Sequence, residues 1–271
     1  MPVFGWSLLL LLALPGVAGA ATVSVEPYVE PPDVDPFSSC SRYMMCPPDM
    51  VVVTAVRGES NIVAITEERF AYPRNRYLVR DQGAPPQAGA GCEQVDDLTV
   101  ACTAGTIGPT RLGDGDDRMI ASGGEVHGGP GADVLMSHFG GANGDEGDDV
   151  LIGQSGAGGA GDDLLVVRNG NGDSGDDVLR CSPLVTGCGL DGGPGDDHLT
   201  GGAAFDALLG RSGDDVLRGL GERDRLRGGR GADRLVGGQG RDEVDCGAGR
   251  RDEALADRRD RVTRCERVSP E

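Results

Sequence analysis

The chain has 271 residues, 47 of them glycine and only 4% aromatic, and its 44 Asp and Glu outnumber 25 basic residues, all arginine, for a net charge of −19. So few bulky side chains exclude a wide aromatic core and point to a narrow, repetitive one. The charge excludes nucleic acid and an anionic membrane as partners, which would repel it, and suits cations or plain solvation.

The chain opens with "MPVFGWSLLLLLALPGVAGA", an apolar run closed by Ala18-Gly19-Ala20. Residues 1–20 read as a signal peptide, with an apolar run shorter than the ~20 residues of a spanning helix. The expectation is a secreted, extracellular chain that does not insert into a membrane once the signal is removed. Residues 21–49, rich in proline and acidic side chains without a period, read as an extended leader. Residues 50–111 carry short β-like runs, "MVVVTAV", "NIVAIT", "RYLVR" and "LTVAC", between Gly, Pro and polar clusters; they read as a small N-terminal β cap. Eight cysteines fall as near neighbours, Cys40/Cys46, Cys92/Cys102, Cys181/Cys188 and Cys246/Cys265. None has the spacing of a zinc knuckle, and an oxidising compartment is implied. Sequential pairing closes the shortest loops, although sequence alone does not fix connectivity.

After Leu112 the chain repeats. "GDGDDRMI", "GGPGADVLM", "GDEGDDVLI", "GGAGDDLLV", "GDSGDDVLR" and "GGPGDDHLT" are followed without a gap by five more units through residue 245. The stretch "GDSGDD" begins like the surroundings of a serine-protease nucleophile, but register makes Ser174 the variable third position of a repeat. The only histidines, His127, His138 and His198, lie inside the array with no triad context. Residues 22–110 hold no histidine and no catalytic constellation, so the expectation is a protein that is not an enzyme.

The pattern G-G-x-G-x-D-x-hydrophobic-x resembles the hemolysin-type calcium-binding repeat of RTX proteins. The resemblance implies an all-β, right-handed parallel β-roll over residues 112–245, with glycine-rich turns, three-residue strands and calcium between stacked turns. Glycine permits the turn and exposes backbone carbonyls, and aspartate supplies the hard oxygen that Ca²⁺ prefers. The sixth-position aspartates Asp117, Asp133, Asp149, Asp163, Asp177, Asp197, Asp215 and Asp233 recur 14 to 20 residues apart. Two nonapeptides make one coil of 18, so these eight are expected on one face, one per coil, as calcium ligands. Met119, Leu135, Leu151, Leu165, Leu179, Leu199, Leu217 and Leu235 are expected inside.

The fifth-position acids Asp116, Asp148, Asp162, Asp176, Asp196 and Asp214 add negative potential and are candidates for the same shell. The opposite face has matching aspartates only late, at Asp206, Asp224 and Asp242. Two alternatives to calcium stay open: Asx-type turns that need no metal, and, beyond Gly219, arginine–carboxylate pairing in its place. Residues 246–271 are expected to form a disulfide-closed cap over the last coil. The function expected is calcium binding coupled to extracellular folding, the alternative an adhesion or matrix protein with structural calcium and a glycan or protein partner. An N-terminal signal and paired cysteines depart from the family, whose members leave by a C-terminal signal and are poor in cysteine.

Overall fold

The computed structural model describes residues 22–27, 49–54, 60–71, 74–82, 86–104, 106–183 and 186–271. The expected signal peptide and the Cys40/Cys46 pair lie outside them. Among the described residues every regular element is a strand, and the chain winds as a parallel β-solenoid.

Each coil contributes one strand to each of two stacks. On the first, Arg118–Ala121, Leu164–Val167, Val178–Cys181, His198–Thr200, Val216–Gly221 and Arg234–Gln239 stack in parallel with the leading halves of Val134–Glu146 and Val150–Ala160. This register places Met119, Leu135, Leu151, Leu165, Leu179, Leu199, Leu217 and Leu235 directly above one another, every one at most 1% exposed. The expected inward column is therefore present, although its coils vary in length. A coil two or four residues short loses them from the turn or the second stack, because a one-residue slip within the strand would turn its leucine out to solvent.

The second stack runs through Val126, Ala142, Gly156, Gly170, Leu190, Leu208, Leu226 and Val244. Its early rungs are small, and the space is taken from elsewhere. A Cβ on Gly170 would lie 2.7 Å from Val167 and 3.4 Å from Leu165, so fully buried Val167 fills the gap where the column lacks its leucine. The turns need glycine for a second reason. Gly147 has φ +128°, and a Cβ there would sit 1.9 Å from the Gly131 carbonyl oxygen of the preceding coil. Any side chain would hold the coils apart.

The solenoid is longer than the 112–245 expected. Ile62–Ala71 pairs in parallel with Arg118–Ala121, setting Val63 on Met119, and Asp49–Thr54 pairs in parallel with Thr106–Arg111, which pairs with Val126–Pro130. Part of the N-terminal β region is thus the first rung on both stacks. The remainder is antiparallel: Arg74–Asp81 joins Ile62–Ala71 to Thr99–Ala104. Thr22–Pro27, in the stretch expected to be an extended leader, is instead a strand paired antiparallel with Asp49–Thr54. At the other end, Glu253–Ala256, Arg261–Thr263 and Arg267–Pro270 continue both stacks. The tail is therefore more coil rather than a lid, because Ala254, Val262 and Val268 keep the apolar register despite the charges around them. Disulfides join Cys92–Cys102, Cys181–Cys188 and Cys246–Cys265, the sequential pairing expected for these six.

Candidate calcium sites

The strand that starts right after each sixth-position aspartate turns its second residue, Met119 or a leucine, inward, and the glycine turn brings the aspartate itself inside. Asp117, Asp133, Asp149, Asp163, Asp177, Asp197, Asp215 and Asp233 are all buried to 2% exposure or less. Each uses one carboxylate oxygen in the same way. The backbone N–H of Asp117 donates to Asp133 Oδ1, that of Asp133 to Asp149, and so on through Asp233 to Asp252, at 2.7 to 3.1 Å. The chain of bonds has distinct ends. At one, Asn61 takes the aspartate position, donating from its backbone N–H and side-chain amide to Asp117 Oδ1. At the other, the Asp252 N–H donates to Glu266.

A second ladder runs on the opposite stack, from the Cys188 N–H to Asp206, then Asp224, Asp242 and Asp260. Sequence reading found Asp206, Asp224 and Asp242 but missed Asp252, Asp260, Asn61 and Glu266. The glycine-rich motif decays around these four, and only their distance from an inward apolar residue, as in "DEALA" and "NIVAI", marks their register.

The second oxygen of each ladder carboxylate is the unusual feature. Oδ2 of Asp117, Asp133, Asp149, Asp163, Asp177, Asp197, Asp215, Asp224, Asp233, Asp242 and Asp252 is buried without a hydrogen-bond partner. Asp206 is different, because its Oδ2 accepts from the Gly202 N–H. A buried polar atom without a partner is costly, and a row of them calls for a ligand absent from the protein's own atoms. The surroundings supply further oxygen. Over Gly144, Asp149 Oδ2 and the Gly158 carbonyl oxygen lie 2.0 and 2.4 Å from where a Cβ would sit; over Gly172, Asp177 Oδ2 and the Gly192 carbonyl oxygen lie at 2.0 and 2.4 Å. The later coils repeat this over Gly219 with Asp224 and the Gly237 carbonyl. Convergent anionic and carbonyl oxygens, with no nitrogen or sulfur among them, suit a hard cation such as Ca²⁺.

Burial is the main force on these acids in the metal-free protein. It pushes the carboxyls of Asp149 and Asp177 up to about 7 and that of Asp215 up to about 8, opposed by the donated backbone N–H and assisted by ladder neighbours such as Asp163 and Asp197. The ladder thus resists ionisation in the absence of a cation.

The fifth-position acids stand elsewhere. Asp116, Asp148, Asp162, Asp176, Asp196 and Asp214 are exposed, and each accepts the turn N–H of the following coil at 2.7 to 3.0 Å. The direction is opposite to that of the buried ladder, so every turn between two such coils is stitched both ways. These bonds join residues 14 to 20 positions apart on neighbouring coils, so they are not the local Asx-type turns weighed as an alternative to metal.

The arginines of the late coils do not enter the ladders. Arg225 pairs with Glu243, Arg234 and Arg267 with Glu253, Arg264 with Asp245 and Arg211 with Asp191, all outward side chains. Asp224, Asp233 and Asp242 receive no arginine and keep the orphan oxygen of the early coils. Substitution of arginine for metal after Gly219 is therefore not what the structure contains.

Fold and site together define a parallel β-solenoid with two internal carboxylate ladders. Residues 191–226 and 218–250 each match a family described as the RTX calcium-binding nonapeptide repeat (4 copies). The chain thus carries RTX repeats, and calcium is the cofactor they bind. No curated protein and no solved structure matches the chain.

Proposed function

We propose that this is a secreted, non-catalytic calcium-binding protein whose extracellular folding is coupled to metal uptake. The observation that carries the reading is the row of buried carboxylate oxygens without a partner on both stacks. Asp117, Asp133, Asp149, Asp163, Asp177, Asp197, Asp215 and Asp233 would hold calcium on the first stack, and Asp224 and Asp242 on the second, with carbonyl oxygens of the glycine turns. Asp148, Asp162, Asp176, Asp196 and Asp214 hold the turns in register from outside and add negative potential.

Bound calcium supplies positive charge at the level of each turn. The protein's own part is to bury carboxylates too closely stacked to ionise together without it, so that binding energy becomes folding energy. Extracellular modules of this type bind at ~10⁻⁴ to 10⁻³ M, which favours the folded form outside a cell over a calcium-poor interior. The disulfides fit the same oxidising location. An adhesion or matrix role with structural calcium is the second reading. It is favoured by the outward face of the first stack, where Ile120 and Ile152, 43% and 37% exposed, both align with half-buried Met136 between them.

The test is calcium titration of chelated, oxidised protein by far-UV circular dichroism, with metal counted at saturation. A cooperative gain of β signal with several ions bound, diminished in D149N/D163N/D177N, is expected. An unchanged spectrum with no ion bound would remove the proposal.

A further inference from the structure

Arginines that stay out of the ladders raise the question of what they face. Residues 112–217 carry four arginines against twenty Asp and Glu, whereas residues 218–271 carry fourteen against twelve. Four of those twelve, Asp224, Asp233, Asp242 and Asp252, are buried in the ladders. The outer surface of the last coils is therefore cationic on a chain that is strongly anionic overall.

On the second stack this charge gathers around a groove of about 460 Å³, walled by Arg211, Arg227, Arg230 and Arg264 with one acid, Asp245, among them, and floored by Gly229 and Gly247. The register explains how it forms. Arg211 aligns with Gly229, which aligns with Gly247, while Ser212 aligns with Arg230 and Arg227 with Asp245. Side-chain-free rungs leave a trough, and the neighbouring positions put guanidinium groups along its rims.

Two of the four are held in place. Arg211 Nε lies 2.8 and 3.0 Å from the two Asp191 carboxylate oxygens, and Arg264 Nε lies 2.6 Å from Asp245 Oδ1. Arg227 and Arg230 form no salt bridge among the described residues and are exposed. The same rows have the opposite sign upstream, where Gly193, Asp173, Gly159 and Asp145 precede Arg211. The groove is thus a local feature of the last coils.

We propose that this groove binds an acidic glycan, with the guanidinium groups of Arg227 and Arg230 taking its sulfate or carboxylate oxyanions. Arginine forks match such oxyanions bidentately. From Arg211 to the rung preceding Arg264 is three strand spacings, about 14 Å, longer than one free anion and suited to several charges on one chain. A single-stranded nucleic acid fits less well, because aromatic stacking surfaces are missing from the groove.

The test is calorimetric titration of the full, oxidised chain in calcium with four probes: a sulfated tetrasaccharide, its unsulfated counterpart, inorganic sulfate and a single-stranded oligonucleotide of equal charge. Sulfate esters are weak calcium ligands, so binding through the metal sites is avoided. The sulfated sugar is expected to bind at least tenfold more tightly than the other three. R227Q/R230Q is expected to weaken it by roughly tenfold or more, the loss of charge-assisted hydrogen bonds, with calcium stoichiometry and circular dichroism unchanged. E146Q, on the acidic coils, is expected to leave it unchanged. No binding, undiminished binding by R227Q/R230Q, or equal affinity for the unsulfated sugar overturns the proposal. Equal affinity for inorganic sulfate makes the groove a free-oxyanion site, and tighter binding of the oligonucleotide a nucleic-acid site; either overturns the glycan assignment.

Discussion

Removing calcium should make the protein most stable in acid, the reverse of most acidic proteins. Burial holds the Asp149 carboxyl at about 7 against an ordinary 3.8, a difference of roughly three pH units, or on the order of 4 kcal/mol. A carboxyl whose folded pKa is raised leaves stability untouched below the unfolded value, where both states are protonated. Stability then falls as pH rises from about 4, since the unfolded chain gives up its proton first, and the full cost is reached above about 7. Asp177 has the same shift, and Asp215 is raised to about 8. Two such carboxyls alone approach the 5–15 kcal/mol of an entire domain. Calcium requires the ionised form, so the metal-bound protein should show the opposite slope. Thermal melts of oxidised protein by circular dichroism between pH 4 and 8, in chelator and in calcium, measure both. In chelator Tm should fall through this window, and in calcium it should rise. A chelated protein whose Tm is flat or climbs from pH 4.5 to 8 would refute the reasoning that burial keeps these acids protonated.

Three further outcomes follow from the packing and the ladder ends. Leu179→Ala removes a fully buried rung and should cost about 2–5 kcal/mol, read as a lower denaturation midpoint in calcium; a cost below about 1 kcal/mol would mean that the column is not the core. Asn61→Asp replaces an amide that donates to Asp117 and to the Leu112 carbonyl with a second acid, and should destabilise the calcium-bound protein by about 1–3 kcal/mol, more at pH 8 than at pH 5. Equal stability at both pH values would show that the amide does not cap the ladder. Replacing Cys246 and Cys265 by Ala opens a 19-residue link and should cost about 3 kcal/mol, with the tail cleaved first in limited proteolysis; cleavage elsewhere first would count against the bridge as what holds the last coils.

The inward leucines and the buried aspartates were legible because both are tied to one local signal, an acid two residues before an apolar side chain, repeated too often for chance. Coil length did not obscure them, since stacking fixes the strand and leaves the turn to vary. The ends were harder. Asn61 carries no charge and sits in a run that reads as ordinary strand, and "DRRDRVTRCERV" looks like a solvated tail. Their places are set by hydrogen bonds to a neighbouring coil 56 residues away at Asp117 and 18 away at Asp242, a distance no local pattern spans. The arginines misled in another way: composition brings them beside the acids, but the alternation of the strand turns them outward, to partners such as Asp245 and Glu253.

Each buried aspartate accepts from the coil before it and offers its own N–H to the coil after, so every interior coil presents the same two surfaces to its neighbours. Such a unit can be duplicated or deleted by recombination without designing a new junction, and the protein can change length while keeping its terminal coils. Coils of 14, 16, 18 and 20 residues coexist in this one ladder, which shows how much divergence the junction tolerates. Evolution is held to account chiefly at the two ends, where Asn61 opens the ladder on Asp117 and Glu266 closes it on Asp252.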